Sequence, residues 1–131
     1  MKSLKLSSAE LDTLMMLWEI GEPTRASVLL THMLPTHSWS ISTLQTLLAR
    51  LEEKGAVCVT VKKRTRYFAP TLSKEEYMED QTGSLMESLK DCSPVSLMAG
   101  LIRGGRLCEE ELDEIAALLQ RAKQELQRKK G

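Results

Sequence analysis

Residues 39–70 read WSISTLQTLLARLEEKGAVCVTVKKRTRYFAP, and inside this stretch the apolar spacing changes from the period of a helix to that of a strand. Ser40 stands where a helix cap is wanted, and Gly55 supplies a left-handed residue to end a helix at Lys54. On a helical wheel Ile41, Leu44, Leu47, Leu48 and Leu51 share one side. Ser42, Thr46, Ala49 and Glu53 lie opposite, flanked by Gln45 and Arg50. One face is therefore core, and the other is polar and free of bulk over its first turns. Beyond Gly55, Val57, Val59 and Val61 alternate with Cys58, Thr60 and Lys62, the pattern of a half-buried strand. Tyr67, Phe68 and Ala69, stopped by Pro70, read as its return partner. Between them Lys62, Lys63, Arg64, Thr65 and Arg66 form a basic hairpin tip with four cations and no acid.

Upstream, Ser7 and Glu10 fit a capping box with Leu6 and Leu11 as its hydrophobic staple. Leu11, Leu14, Met15 and Trp18 then share one face of a first helix that ends near Gly21. Thr24 is the expected cap of a second, short helix through Met33, closed by Pro35. Three helices followed by a basic hairpin is the order of a winged helix-turn-helix, whose third helix meets the major groove.

Downstream the pattern is helical again. Ser73 and Glu76 make a second capping box with Leu72 and Tyr77 as staple, opening a helix to about Lys90. Ser93 and Pro94 start a short apolar helix through about Ile102, broken by Gly104 and Gly105. A last helix spans about Glu109 to Lys129, acidic at its start and basic at its end, as the helix dipole prefers. Its stripe of Leu112, Ile115, Leu118, Leu119, Ala122 and Leu126 would stay wet on an isolated helix, so a second copy is expected to cover it. The expected class is mainly α with a small β-hairpin. Residues 1–72 form a winged-helix DNA-binding domain and residues 73–131 a helical dimerisation region.

The 131-residue chain has 42% hydrophobic residues, enough for a core. Its longest purely apolar run, Leu14 to Trp18, is far short of the roughly 20 residues of a membrane span. Lys2 and Lys5 are followed too soon by Glu10 and Asp12 for a secretory signal, so a cytoplasmic protein is expected. The zero net charge conceals an asymmetry. Residues 1–70 carry nine Lys/Arg against six Asp/Glu, a net +3, and residues 71–131 nine against twelve, a net −3. A basic half suits contact with a polyanion.

The candidate site follows. Ser42, Gln45 and Thr46 are placed to meet base edges, with Ser40, Thr43 and Arg50 beside them. Lys62, Lys63, Arg64 and Arg66 suit phosphates, which attract cations regardless of sequence. Trp39, just after His37, can donate its indole N–H to a phosphate or pack half-buried. Glu52, Glu53 and Lys54 read as a solvated face turned away from DNA. No nucleophile–base pair, Gly-rich phosphate loop or metal-helix motif marks an enzyme. Cys58, Cys92 and Cys108 lack CxC or CxxC spacing and read as buried structural thiols, with no metal and no cofactor expected.

The stretches LSSAELDTLMMLW (6–18), WSISTLQTLLARLEEKG (39–55), YFAPTLSKEEY (67–77) and residues 93–119, with SPVSLMAGLI and EEELDEIAALL, fall in an order and spacing that resembles the penicillinase repressor family. That family includes the methicillin-resistance repressors and, more distantly, copper-responsive repressors. The resemblance implies a homodimer on a promoter palindrome, with the winged half on DNA and the C-terminal helices holding the dimer. It also implies relief by a sensor-linked protease cutting in the C-terminal region, at a bond matching Gly100 and Leu101, on an antibiotic or other signal. Gly100 and Leu101 replace the asparagine and phenylalanine of the resistance repressors, and Ser42 and Gln45 stand where those repressors carry basic residues. Thr43 and Thr46 fit the wider pattern. Residues 127–130 lack the paired cysteines of copper-responsive members, so copper sensing is not expected. The other reading is a winged helix used only to bind protein, which would lack the steep salt dependence of DNA binding.

Overall fold

Ser7 and Glu10 close the capping box reciprocally: Ser7 Oγ accepts from the Glu10 amide at 3.2 Å, and Glu10 Oε1 accepts from the Ser7 amide at 2.7 Å. This starts α1, Ser8–Ile20, in a computed structural model that describes residues 3–130; Lys2 lies outside them. α2 spans Ala26–Met33 and α3 Ile41–Glu53, followed by β1, Val57–Lys62, and β2, Thr65–Pro70. α4 (Lys74–Ser88), α5 (Pro94–Arg103) and α6 (Glu109–Lys130) complete the chain. The strands form a two-stranded antiparallel hairpin running from Val57 opposite Pro70 to Lys62 opposite Thr65. Among the described residues no helix is long and apolar enough to cross a membrane.

The core gathers Leu14 and Leu17 of α1, Leu29 and Met33 of α2, Leu44, Leu48 and Leu51 of α3, then Ala56, Val57 and Phe68. Each buried leucine contributes roughly 1.5–3 kcal/mol of transfer free energy. Sequence periodicity assigns some of these faces inexactly. The buried face of α1 is Glu10, Thr13, Leu14 and Leu17, while Leu11 is half-buried and Met15 is 38% exposed. Trp18 is half-buried at the edge of that core, its Nε1 donating to the Leu72 carbonyl at 2.9 Å and its ring 5.7 Å from that of Tyr77. Ile41, at the mouth of α3, is 39% exposed, and Val61, near the hairpin tip, is 63% exposed because the strands run out past the core.

Thr24 does not cap α2. The N-cap is Arg25, with no side-chain bond, and Thr24 is instead buried in a one-residue bridge to β2. Its amide donates to the Phe68 carbonyl at 2.9 Å, and its carbonyl accepts from the Phe68 amide at 2.8 Å. A β-branched residue satisfied on both sides in a bridge has no need to begin a helix.

Compactness changes later than the expected junction after residue 72: the two units are Met1–Glu87 and Ser88–Gly131. α4 belongs to the first because Tyr77 is buried, Asp80 Oδ2 accepts from Ser3 Oγ and the Leu4 amide, both at 3.0 Å, and Gln81 donates to the Leu4 carbonyl at 2.7 Å. The Leu4 and Ser3 bonds hold the Asp80 carboxyl below its ordinary pKa. In the second unit Ser93 caps α5 through the Ser96 amide with Pro94 in the first turn, and Gly105 takes a φ of 71° after it. Neither α5 nor α6 has a buried residue. Cys58, Cys92 and Cys108 are exposed, against the expectation of buried thiols: Cys58 lies on the outward face of β1 between Val57 and Val59, and Cys92 and Cys108 lie between helices.

Lys54 is not simply solvated. Its Nζ donates to Glu10 Oε1 at 2.7 Å and to the Lys5 carbonyl at 2.9 Å, tying the end of α3 to the start of α1. Glu10 is only 2% exposed. Burial pushes its carboxyl up, but the Lys54 bond, the Ser7 bonds and the Lys54 charge outweigh burial and hold it below its ordinary value. Because the folded pKa is depressed, this carboxylate stabilises the fold above the unfolded pKa, and the contribution is lost as pH falls through the folded one. Lys54→Met is expected to cost about 1–3 kcal/mol at neutral pH, the desolvation penalty of an unpaired buried group. The deficit should shrink as the pH of urea titrations is lowered through the carboxylate range, where the stranded acid protonates. A deficit independent of pH would show that the pair does not control this carboxyl.

Candidate nucleic-acid interface

α3 is started by Ser40, whose Oγ accepts from the Thr43 amide at 3.1 Å and lies 3.1 Å from Thr43 Oγ1. Ser40 and Thr43 thus set the angle at which the helix leaves the chain. Leu44, Leu47, Leu48 and Leu51 are buried, so Ser42, Gln45, Thr46, Ala49 and Arg50 are exposed on the opposite side. Thr46 Oγ1 donates to the Ser42 carbonyl at 3.1 Å, which leaves its methyl and an acceptor facing outward. At about 100° per residue Gln45 and Glu52 fall on one flank of this face, and Thr43 and Arg50 on the other.

Trp39 packs half-buried against the core, its ring centroid 4.3 Å from that of His37. His37 is held in turn by Asp12 of α1, Nε2 to Oδ2 at 3.0 Å, and by Thr36 Oγ1 at 2.8 Å from Nδ1. The packing role of Trp39 is therefore visible, and it braces the loop that enters α3.

The hairpin is tighter than KKRTR suggests. Lys62 and Arg66 lie on the strands, and the turn is Lys63 and Arg64 alone, with φ of 49° and 67°. Two-residue hairpin loops with both residues left-handed favour Asn-Gly, and non-glycine residues there are strained. The chain places two cations where glycine chemistry would be easier.

The wing, α3 and the start of α2 enclose a groove of about 620 Å³. Gln45, Ala49 and Glu52 form one wall, Arg64 and Arg66 another, and Arg25 and Ser27 a third. Arg66 Nη2 lies 3.5 Å from Glu52 Oε1, and its guanidinium sits 5.6 Å from the Phe68 ring centroid. Glu52 therefore faces the groove rather than turning away from it, because it shares the flank of Gln45. Sequence reasoning missed Arg25 and Ser27; a lone arginine at the uncapped start of a helix was the available signal, since that end attracts anions. Among the described residues no group of three or more His, Cys, Asp or Glu could hold a metal ion.

The sequence model of the penicillinase repressors matches residues 6–121. The chain belongs to the penicillinase repressor family. It is 25% identical over 119 residues to the penicillinase repressor of Bacillus licheniformis, covering 91% of this chain and 92% of that one. It is 26% identical over 115 residues to an uncharacterized 16.5 kDa protein of Latilactobacillus sakei, covering 88% of this chain and 78% of that protein. Among solved structures it resembles the DNA-binding domain of the repressor BlaI, with a TM-score of 0.51 and 28% identity over 58% of this chain and 92% of that one. It likewise resembles Bacillus licheniformis BlaI in monomeric form bound to the blaP half-operator, with a TM-score of 0.50, 28% identity and the same coverage. The penicillinase repressor fold of its first half is thus a winged helix, mostly helical with a two-stranded hairpin.

Replacing the turn by Lys63→Asn with Arg64→Gly should raise the melting temperature by relieving two left-handed side chains. The same change should weaken binding to operator and random duplex alike and flatten the salt dependence by about one unit for each phosphate the wing no longer neutralises. A stabilised variant with unaltered salt slope would remove the turn from the DNA surface. Gln45→Ala, by contrast, is expected to cost roughly 1–3 kcal/mol on the cognate duplex and little on random DNA. Equal losses in the two titrations would exclude Gln45 from base readout.

Proposed function

We propose that this repressor occupies a palindromic promoter operator as a homodimer, blocks transcription there, and is released by proteolysis within α5. The observation that carries the DNA reading is the small polar face of α3 beside a wing whose turn holds two cations in left-handed conformations. Bases would be read by Ser42, Gln45 and Thr46, and phosphates would be held by Lys62, Lys63, Arg64 and Arg66. Two α3 helices in successive major grooves would match a palindrome with half-sites about 34–36 Å apart. The half-operator complex of the BlaI relative supports one winged unit per half-site.

The stripe on α6 supports the dimer. Leu118, Leu119 and Leu126 are 58%, 57% and 60% exposed, Leu112 is 40% exposed, and Ile115 is half-buried. A second copy laid on that stripe would remove it from water. Gly100 and Leu101 are exposed within α5. Gly100 lowers the helix propensity there by about 1 kcal/mol relative to alanine, and Gly104 follows directly as the C-cap. Such a helix opens readily to a protease. A cut there severs α6 from the winged unit, and the avidity of two joined half-site readers, about 10² to 10⁴ in affinity, is lost.

A fragment ending at residue 87 keeps nearly all of α4 and should fold. It is expected to sediment as a monomer and to bind a palindrome no better than a half-site, whereas the full chain sediments as a dimer and binds far more tightly. Leu118→Glu with Leu119→Glu in the full chain should give the same loss without truncation. A dimeric fragment, or full affinity in either variant, would sink the α6 interface and the proteolytic release built on it.

A further inference from the structure

Among the described residues lining the groove between α3 and the wing, Glu52 is the only acid. It lies seven residues after Gln45, so the two project along the same flank about 10 Å apart. A phosphodiester strand seated between α3 and the wing would approach this carboxylate, which repels it. The carboxylate is also 3.5 Å from Arg66 Nη2, with both side chains part-exposed at 44% and 60%. Such a water-screened pair exchanges partners easily, and a phosphate offers the guanidinium a better, bidentate acceptor. Arg66 does not depend on Glu52 for its place, because its guanidinium also rests over the ring of buried Phe68.

We propose that Glu52 is an electrostatic counterweight on the DNA face: as an internal rival anion for Arg66 it lowers affinity for duplex DNA of any sequence. This rests on the reading of α3 and the wing as the DNA surface. Its effect is on the sequence-independent part of binding, which is set by the number of cations free to displace counterions. Weak retention on random sequence leaves the base contacts of Ser42, Gln45 and Thr46 to decide where the repressor stays.

The test uses the full chain and a random-sequence duplex of fixed length, titrated over a series of salt concentrations. The proteins are wild type, Glu52→Gln, Arg66→Gln and the double variant, with thermal melting as the folding control. Glu52→Gln should tighten binding about two- to fivefold near 0.1 M salt, the range of an exposed charge pair. It should also steepen the salt slope by about 0.9, the equivalent of one more phosphate neutralised. Arg66→Gln should weaken binding more in the Glu52→Gln background than in wild type, where Glu52 competes for the arginine. If the pair instead braces the wing, Glu52→Gln will bind equally or more weakly; that result in a variant of normal melting, or equal losses from Arg66→Gln in both backgrounds, overturns the proposal. Wild type that shows no salt-dependent duplex binding at all would overturn the DNA-binding reading itself, and this inference with it.

Discussion

The roll of α3 about its own axis is fixed by four leucines. Leu44, Leu47, Leu48 and Leu51 are buried, three of them in one cluster with Leu14, Leu17 and Leu29. A rotation by one residue would turn that stripe about 100° and expose it, at a cost of several kcal/mol. The outward face therefore has no freedom: Ser42, Gln45, Thr46 and Ala49 are presented because the leucines cannot be. Ala56 and Val57 belong to the same cluster, so the packing that orients α3 also anchors the base of the hairpin. The Thr24–Phe68 bridge closes the other strand onto the loop before α2. Helix and wing are then held by one core, which is what makes a groove between them a fixed shape.

Cations in this unit are held in distinct ways. Lys54 is tied to a buried carboxylate and serves the fold. Lys63 and Arg64 occupy left-handed positions at the extremity of the hairpin, where no core packing constrains them. Arg66 stands between these cases, bound loosely to Glu52 and stacked on Phe68. The net +3 of residues 1–70 treats all of these alike, so the formal charge is a poor guide to how much positive potential the surface offers a polyanion.

The two compact units differ in how they satisfy their apolar residues. The winged unit buries Leu14, Leu17, Leu29, Leu44, Leu48 and Leu51 in one cluster and draws α4 in through Trp18 and Tyr77. The second unit leaves Leu101, Ile102, Leu118, Leu119 and Leu126 exposed on helices that hold together by local hydrogen bonding and capping. The apolar residues of the first unit are largely covered within it, and those of α5 and α6 are not.

The order of elements, the caps at Ser7, Ser40, Ser73 and Ser93, and the leucine face of α3 are legible in the sequence, because capping and periodicity act over three or four residues. The apolar stripe of α6 is legible for the same reason. What the sequence leaves undetermined depends on residues far apart in the chain. Thr24 has the local pattern of a helix cap, but Phe68, far downstream, claims its backbone. Met15 has the spacing of a core residue, but the elements packed on α1 cover Thr13, Leu14 and Leu17 and leave it exposed. Lys54 reads as solvated although Glu10 lies beneath it, and Glu52 reads as remote from the site although the hairpin brings Arg66 to it. The three thiols read as buried because cysteine usually is, whereas Cys58 is on the outward face of β1 and the other two lie between helices. Local rules determine which elements form; the partners that long-range packing brings to each face determine what those faces do.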